Sequence, residues 1–238
     1  VRNTIDMHAR TEMGSSVGEA STFIIQSADG VGAAFLVDDQ LGLTAAHVLG
    51  DSEFVRVLNP REDGALLVAR VVAREESDDL AVLYFQRAPD ASPLPLADNV
   101  EIGQSVVAVG APGGELTSTR GAVTDISDDF IRADALVAQG NSGGPLVNSE
   151  GEVVGLVTQL EASTNFAIAR PPQELSALLA RTPVQESFNE VGVESSDYTF
   201  PVAIIWLSLF LFSVTLAFVA RMAIVRNRKR RLIRIEIN

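Results

Sequence analysis

Between about residue 20 and residue 170 the chain alternates short apolar runs with clusters of Gly, Asp, Asn and Pro. The runs include Thr22–Gln26, Gly32–Val37, Leu41–Leu43, Phe54–Leu58, Ala65–Val72, Ala81–Phe85, Ser105–Gly110, Phe130–Arg132, Pro145–Val147 and Val153–Thr158. Val, Ile and Phe dominate them, side chains that pack well on a pleated surface. Many short runs of this length, punctuated by turn residues, predict an all-β sandwich or barrel. The stretch Pro89–Pro95 (PDASPLP) reads as a linker between two halves, about 21–97 and 98–170. Helical spacing appears once, where Pro171, Pro172 and Glu174 open a segment with Leu175, Leu178 and Leu179 on one face, which predicts a helix over 172–180. Residues 1–20 show no period and read as an extended arm or a contact with another element. Residues 183–199 are polar and acidic, a tether in this reading.

Phe200–Ala220 (FPVAIIWLSLFLFSVTLAFVA) holds 21 residues without a charge. As a helix it would be about 31 Å long, matching a hydrocarbon core of about 30 Å. The expectation is therefore one transmembrane helix, and a lipid bilayer as a partner. Charge sets its direction. Residues 1–199 carry 30 acids and 11 bases, a net of −19, whereas residues 200–238 carry one acid and seven bases, a net of +6. Bases remain on the cytoplasmic side, so the basic tail 221–238 is expected inside and residues 1–199 in the periplasm or cell exterior. A domain delivered outside calls for an export signal. None is present and the chain begins with valine, so a removed signal peptide or a fragment is expected.

Composition narrows the chemistry. The chain has no cysteine and two histidines, His8 and His47, which excludes disulfides, thiolate metal sites and a histidine-rich metal centre. No cofactor or metal is expected. The net charge of −13 and the absence of a basic patch with stacking aromatics speak against nucleic acid. Gly110–Gly114 (GAPGG) lacks the Lys-Ser/Thr of a phosphate loop and reads as a tight turn. Asp125, Asp128 and Asp129 lack calcium-loop spacing and read as a solvated turn.

Three motifs carry reactive side chains, in the order Thr44-Ala45-Ala46-His47-Val48, Asp78-Asp79-Leu80-Ala81 and Gly140-Asn141-Ser142-Gly143-Gly144-Pro145. A serine hydroxyl becomes a nucleophile when a base takes its proton. Histidine can do so near neutral pH and then protonate a leaving amine. A carboxylate fixes the imidazole tautomer and stabilises its cation. His47, Asp79 and Ser142 supply these three parts. Glycines beside Ser142 permit a sharp turn, and the N–H groups of Gly140 and Ser142 would form an oxyanion hole. Singly, each motif also suits a packed histidine, a turn-capping aspartate or an ordinary glycine loop; the ordered set favours the catalytic reading.

On these residues the chain resembles the trypsin-fold serine proteases, most closely the HtrA (Deg) branch. The matching stretches are GAAFLVDDQLGLTAAHVL at 32–49, DDLAVLYF at 78–85, IGQSVVAVGAPGG at 102–114, DALVAQGNSGGPLVNSEGEVVGLVT at 134–158 and NFAIA at 165–169. The resemblance covers about residues 22–180. It implies two six-stranded antiparallel β-barrels, with His47 and Asp79 on the first and Ser142 on the second, closed by the helix at 172–180. It also implies that protein or peptide substrates bind as an added strand. A primary pocket walled by Leu136, Val137, Leu156, Val157 and Thr158 is expected, selective for small or medium aliphatic side chains; Asp134 matches a family position rather than a pocket floor. Three departures stand out. Asn141 replaces the aspartate that pairs with a new N-terminus in digestive enzymes, so control is expected from loop order, assembly or a partner. Gln139 stands where the family commonly has proline. Between residue 182 and residue 200 there is no room for a PDZ domain. The expectation is a membrane-anchored serine endopeptidase; the alternative is a protease-fold scaffolding or binding subunit of a larger membrane complex with latent activity, and candidate partners are a membrane complex or further copies of the chain in a homo-oligomer.

Overall fold

The structure, a computed structural model, describes residues 14–27, 30–61 and 65–183. The chain divides into two units, Val1–Val184 and Gln185–Asn238, and every described residue lies in the first. The expected tether, the apolar run 200–220 and the basic tail fall outside the described residues, as does His8. Among the described residues no helix is long and apolar enough to cross a membrane.

Six strands form the first barrel: β1 (Thr22–Ser27), β2 (Gly30–Leu36), β3 (Leu41–Ala45), β4 (Phe54–Asn59), β5 (Ala65–Glu75) and β6 (Leu80–Phe85). They close in the order β1-β2-β3-β6-β5-β4. The second barrel comprises β7 (Ser105–Gly110), β8 (Thr117–Ile126), β9 (Ile131–Leu136), β10 (Pro145–Asn148), β11 (Val153–Leu160) and β12 (Phe166–Arg170). It closes in the same order shifted by six, β7-β8-β9-β12-β11-β10. All named strand pairs are antiparallel. Closure leaves no free sheet edge, which removes the main aggregation hazard of a β-rich chain. The expected two six-stranded barrels and the short helix are therefore present.

Alternation explains the inside and outside of each wall. On β4, Val55, Val57 and Asn59 face inward while Phe54 and Arg56 face out. Phe23, Phe35 and Phe85 are fully buried in the first barrel, with the Phe23 and Phe85 rings 5.6 Å apart. Burying one such side chain stabilises by about 1.5–3 kcal/mol. The core of the first barrel runs on through Val147, Val153 and Leu156 of the second to Leu175 and Leu178 of the closing helix. That helix, α2 (Pro172–Arg181), starts with proline at its first position, where a missing N–H costs nothing. Its last turn is closed by Thr182, whose Oγ donates to the Leu178 carbonyl at 2.8 Å.

Two segments differ from expectation, and a third makes contacts beyond it. Residues 14–20, expected within an extended arm, are helical (α1). They dock on the second barrel: a Cβ on Gly18 would meet Val109 and Val147 at 3.0 and 3.1 Å, and the Ser15 hydroxyl lies 2.9 Å from Ser118. The Pro89–Pro95 stretch links the two halves as expected, and it is hydrogen-bonded to both barrels, a contact the sequence did not announce. Leu94 N–H donates to Leu36 at 2.9 Å, and Val153 N–H donates to Pro95 at 2.8 Å. Strand β8 had no apolar run to announce it, because of its ten residues only Val123 is buried.

Candidate active site

Strand pairing brings His47 and Asp79 together. β3 and β6 pair in a register that sets Ala45 opposite Leu80, so the residues just beyond the ladder become neighbours. His47 follows β3 in the 3₁₀ turn Ala46–Leu49, and Asp79 immediately precedes β6. The Ala46 N–H continues the ladder to the Asp79 carbonyl at 3.1 Å. Asp79 itself has a left-handed backbone, φ +56°, uncommon for a residue with a side chain. In that conformation its carboxylate accepts twice from His47, from the backbone N–H at 2.8 Å and from Nδ1 at 2.6 Å. A carboxylate only accepts, so Nδ1 carries the proton and the neutral ring leaves its lone pair on Nε2. The Asp79 hydrogen bond holds the His47 pKa above its ordinary 6.5, although partial burial pushes it down. Asp78 is turned elsewhere, 3.9 Å from Arg170.

Contacts between the barrels bring the Ser142 loop against β2 and the end of β3. Ser142 lies in the loop joining β9 to β10, and its carbonyl accepts from Ala33 N–H of β2 at 2.8 Å. The Ala33 carbonyl in turn accepts from Thr44 Oγ at 2.7 Å, one residue before Ala45. Gly143 makes this approach possible. It has φ +83°, and a Cβ there would lie 2.2 Å from the Ala33 carbonyl oxygen. Gly140, at φ +107°, is held by its carbonyl, which accepts from Ala111 N–H at 2.9 Å. Asn141 is 3% exposed, and its Oδ1 accepts from Ala138 N–H at 3.0 Å. The loop is thus braced internally by a neutral amide. The backbone N–H groups of Gly140 and Ser142 donate to no protein acceptor among the described residues. Gly140 is buried and Ser142 half-buried, and both amides remain free to donate to a ligand oxygen. The Ser142 hydroxyl makes no hydrogen bond to His47 among the described residues; in resting enzymes such contacts are often long and tighten on binding.

A cleft of about 450 Å³ opens beside Ser142, lined by Val137, Ala138, Gln139, Val157, Thr158, Gln159 and Leu160 among others. Of the five expected pocket residues, Val137, Val157 and Thr158 line it. Leu136 stands 56% exposed away from it, and Leu156 is fully buried in the core shared by the barrels. Alternation along β9 and β11 turns these two away from the cleft. Gln139, Gln159 and Leu160 were not expected there. Thr158 falls where the register of β11 against β12 shifts, a bulge between Val157 and Gln159. Bulges re-aim side chains, and motif spacing carries no sign of them. Asp134 is not on the lining; its Oδ1 accepts from Ala122 N–H across β8. Among the described residues no cluster of three or more potential metal ligands occurs.

The trypsin-like peptidase domain family matches residues 32–156. A protein of Hahella chejuensis named "Probable periplasmic serine endoprotease DegP-like" is 40% identical over an alignment 149 residues long that covers 57% of this chain and 31% of that one. Serine protease HTRA1 of Xenopus laevis is 32% identical over 183 residues, 70% of this chain and 39% of that one. The chain thus spans about a third to two fifths of the length of these relatives. Among solved structures, the active form of the Rv3671c protease from M. tuberculosis superposes with a TM-score of 0.65 at 26% identity, covering 72% of this chain and 84% of that one. The serine endoprotease from Yersinia pestis gives 0.64 at 26% identity over 73% and 65%.

Proposed function

Because the chain belongs to the trypsin-like peptidase domain family, matched over residues 32–156, we propose that it is a serine endopeptidase of HtrA/DegP type. In this reading His47, Asp79 and Ser142 form the triad, and the Gly140 and Ser142 amides form the oxyanion hole. The observation that carries it is the 2.6 Å hydrogen bond from His47 Nδ1 to Asp79, which leaves Nε2 as a base.

His47 Nε2 takes the Ser142 hydroxyl proton as Oγ bonds to the substrate carbonyl carbon. The carbonyl electron pair moves onto oxygen, where two amide donors would receive it, each worth about 3–4 kcal/mol in comparable sites. The imidazolium, stabilised by Asp79, gives its proton to the leaving amine as the C–N bond breaks. Water repeats the sequence on the acyl-enzyme, and Ser142 recovers its proton. Substrates would bind as an extended strand, with an aliphatic side chain in the cleft lined by Val137, Val157 and Thr158.

The finer reading adds a membrane. The uncharged run 200–220 and the charge step across it support a single-pass anchor, an extracytoplasmic catalytic domain and a cytoplasmic C-terminus. The 17 residues of 183–199 reach at most about 55–60 Å when extended, so substrates would be proteins close to the bilayer. The second reading, a latent scaffold subunit, draws on the short stretch 183–199, which would keep the domain close to a membrane complex. A fluorophosphonate probe separates the two. Active enzyme labels at Ser142, and Ser142→Ala abolishes labelling and casein cleavage while leaving the fold intact. Wild-type protein that never labels, alone or in its native assembly, would favour the scaffold.

A further inference from the structure

The left-handed backbone of Asp79 raises the question of what imposes it. Within the first barrel the β5–β6 ladder ends with Glu75 opposite Leu80, and residues 76–79 form the turn between the strands. The Asp79 N–H donates to Glu76 at 3.4 Å, and the Asp79 carbonyl accepts from Ala46 at 3.1 Å. The turn that ends in Asp79 is also held from the second barrel and the closing helix. Arg170, at the end of β12, is only 18% exposed. Its guanidinium donates to the Asp129 carbonyl at 3.0 Å and to the Ser77 carbonyl at 3.4 Å. The same group lies 3.9 Å from the Asp78 carboxylate and 3.7 Å from that of Glu174. At the other end of α2, Arg181 pairs with Glu75 at 2.7 Å, and Glu75 accepts from Ser77 Oγ at 2.8 Å. Residues 75–78 are therefore clamped against α2 immediately before Asp79.

The charge balance concentrates this work on Arg170. Three acids, Asp78, Asp129 and Glu174, converge there. Burial pushes the Glu174 carboxyl up, Arg170 draws it down, and Asp78 and Asp129 push it up again. One Glu174 oxygen is buried with no hydrogen bond. Without the guanidinium, like charges would face one another and the Ser77 carbonyl would lose its donor. Asp78 would be driven away from α2, and Asp79 is the next residue.

We propose that Arg170 is a positioning residue, which holds Ser77 and Asp78 from the second barrel and so fixes the Asp79 carboxylate on both His47 donors. The inference rests on the reading of His47 and Asp79 as the base pair of a peptidase. Motif spacing could not have found it, because Arg170 lies 91 positions from Asp79 in the chain.

The test uses the full chain in detergent micelles with isotope-labelled histidine. Only two imidazoles exist, and a His8→Gln variant assigns the remaining signal to His47. In the wild type His47 should titrate above its ordinary 6.5 and show the downfield Nδ1 proton of an imidazole bonded to carboxylate. Arg170→Met should lower that pKa, weaken the downfield signal and slow fluorophosphonate labelling by about 10–100-fold. Arg170→Lys keeps a charge but offers one nitrogen where the guanidinium uses two, for Asp129 and for Ser77, and should fall between the two. If Arg170→Met does not fold, Arg170→Lys decides. A folded variant with unchanged His47 titration overturns the proposal, even if its labelling rate falls, because Arg170 would then support only the fold. The titration needs no turnover. Wild-type protein that never labels would sink the peptidase reading, while His47 would still report whether Arg170 positions Asp79.

Discussion

Asp79→Asn tests the proposed chemistry most directly, because the structure dictates what the amide must do. The Asp79 carboxylate accepts two hydrogen bonds, at 2.8 Å from His47 N–H and at 2.6 Å from Nδ1. An asparagine has one accepting oxygen. If that oxygen keeps the backbone N–H, its NH₂ faces Nδ1, which must then surrender its proton to Nε2. The base is then blocked where Ser142 needs it. The opposite flip sets two backbone-facing donors against each other, at about 1–3 kcal/mol. The imidazolium also loses its counter-charge. At 2.6 Å that attraction is roughly 6 kcal/mol at an effective dielectric of 20 and roughly 2 in water, and the lower part applies because the His47 side chain is 51% exposed. Together these give roughly 3–7 kcal/mol, consistent with the about 10⁴-fold loss of kcat that the equivalent change causes in a serine protease of known mechanism. The assay is the rate of fluorophosphonate labelling and of casein cleavage from pH 5 to pH 9. In the wild type the rate should rise with pH through a His47 pKa above 6.5; in Asp79→Asn it should be about 10⁴-fold lower at pH 7, with its acid limb moved to lower pH. The linkage sign follows from the same shift. A raised folded pKa stabilises fully below about 6.5, and that contribution is lost as pH rises through the folded value. The difference in denaturant midpoint between wild type and variant should therefore narrow with rising pH. A variant within tenfold of wild type across the range would refute this account of Asp79.

Gly143→Ala should destabilise the domain by about 2–5 kcal/mol, because φ is +83° and the new methyl would meet the Ala33 carbonyl at 2.2 Å and Thr44 Oγ at 2.3 Å. Urea unfolding measures it, and an unchanged midpoint would show that the barrels do not meet at this residue. Topology is open to a protection assay. Protease added to intact spheroplasts should digest residues 1–199 and spare a tag at Asn238; the reverse pattern would place the domain in the cytoplasm.

Much of this molecule was legible locally. Apolar runs such as Ala81–Phe85 and Val153–Thr158 marked strands because burial on a barrel wall needs contiguous or alternating apolar residues. The helix over 172–180 announced itself through proline at its start and leucines at helical spacing, and it runs one residue further, to Arg181. The three reactive motifs named the side chains that an acyl-transfer site needs. Tertiary structure alone decided the rest. Residues 14–20 gave no signal because their helix has little apolar face of its own and depends on docking against Val109 and Val147. β8 was silent because its neighbours β7 and β9 supply its pairing while only Val123 enters the core. The left-handed Asp79, the bulge at Thr158 that shapes the cleft and the Arg170 grip on Ser77 all arise between residues far apart in sequence. Local pattern records what each residue can bury or donate; which partner receives it depends on the closure of two barrels against each other.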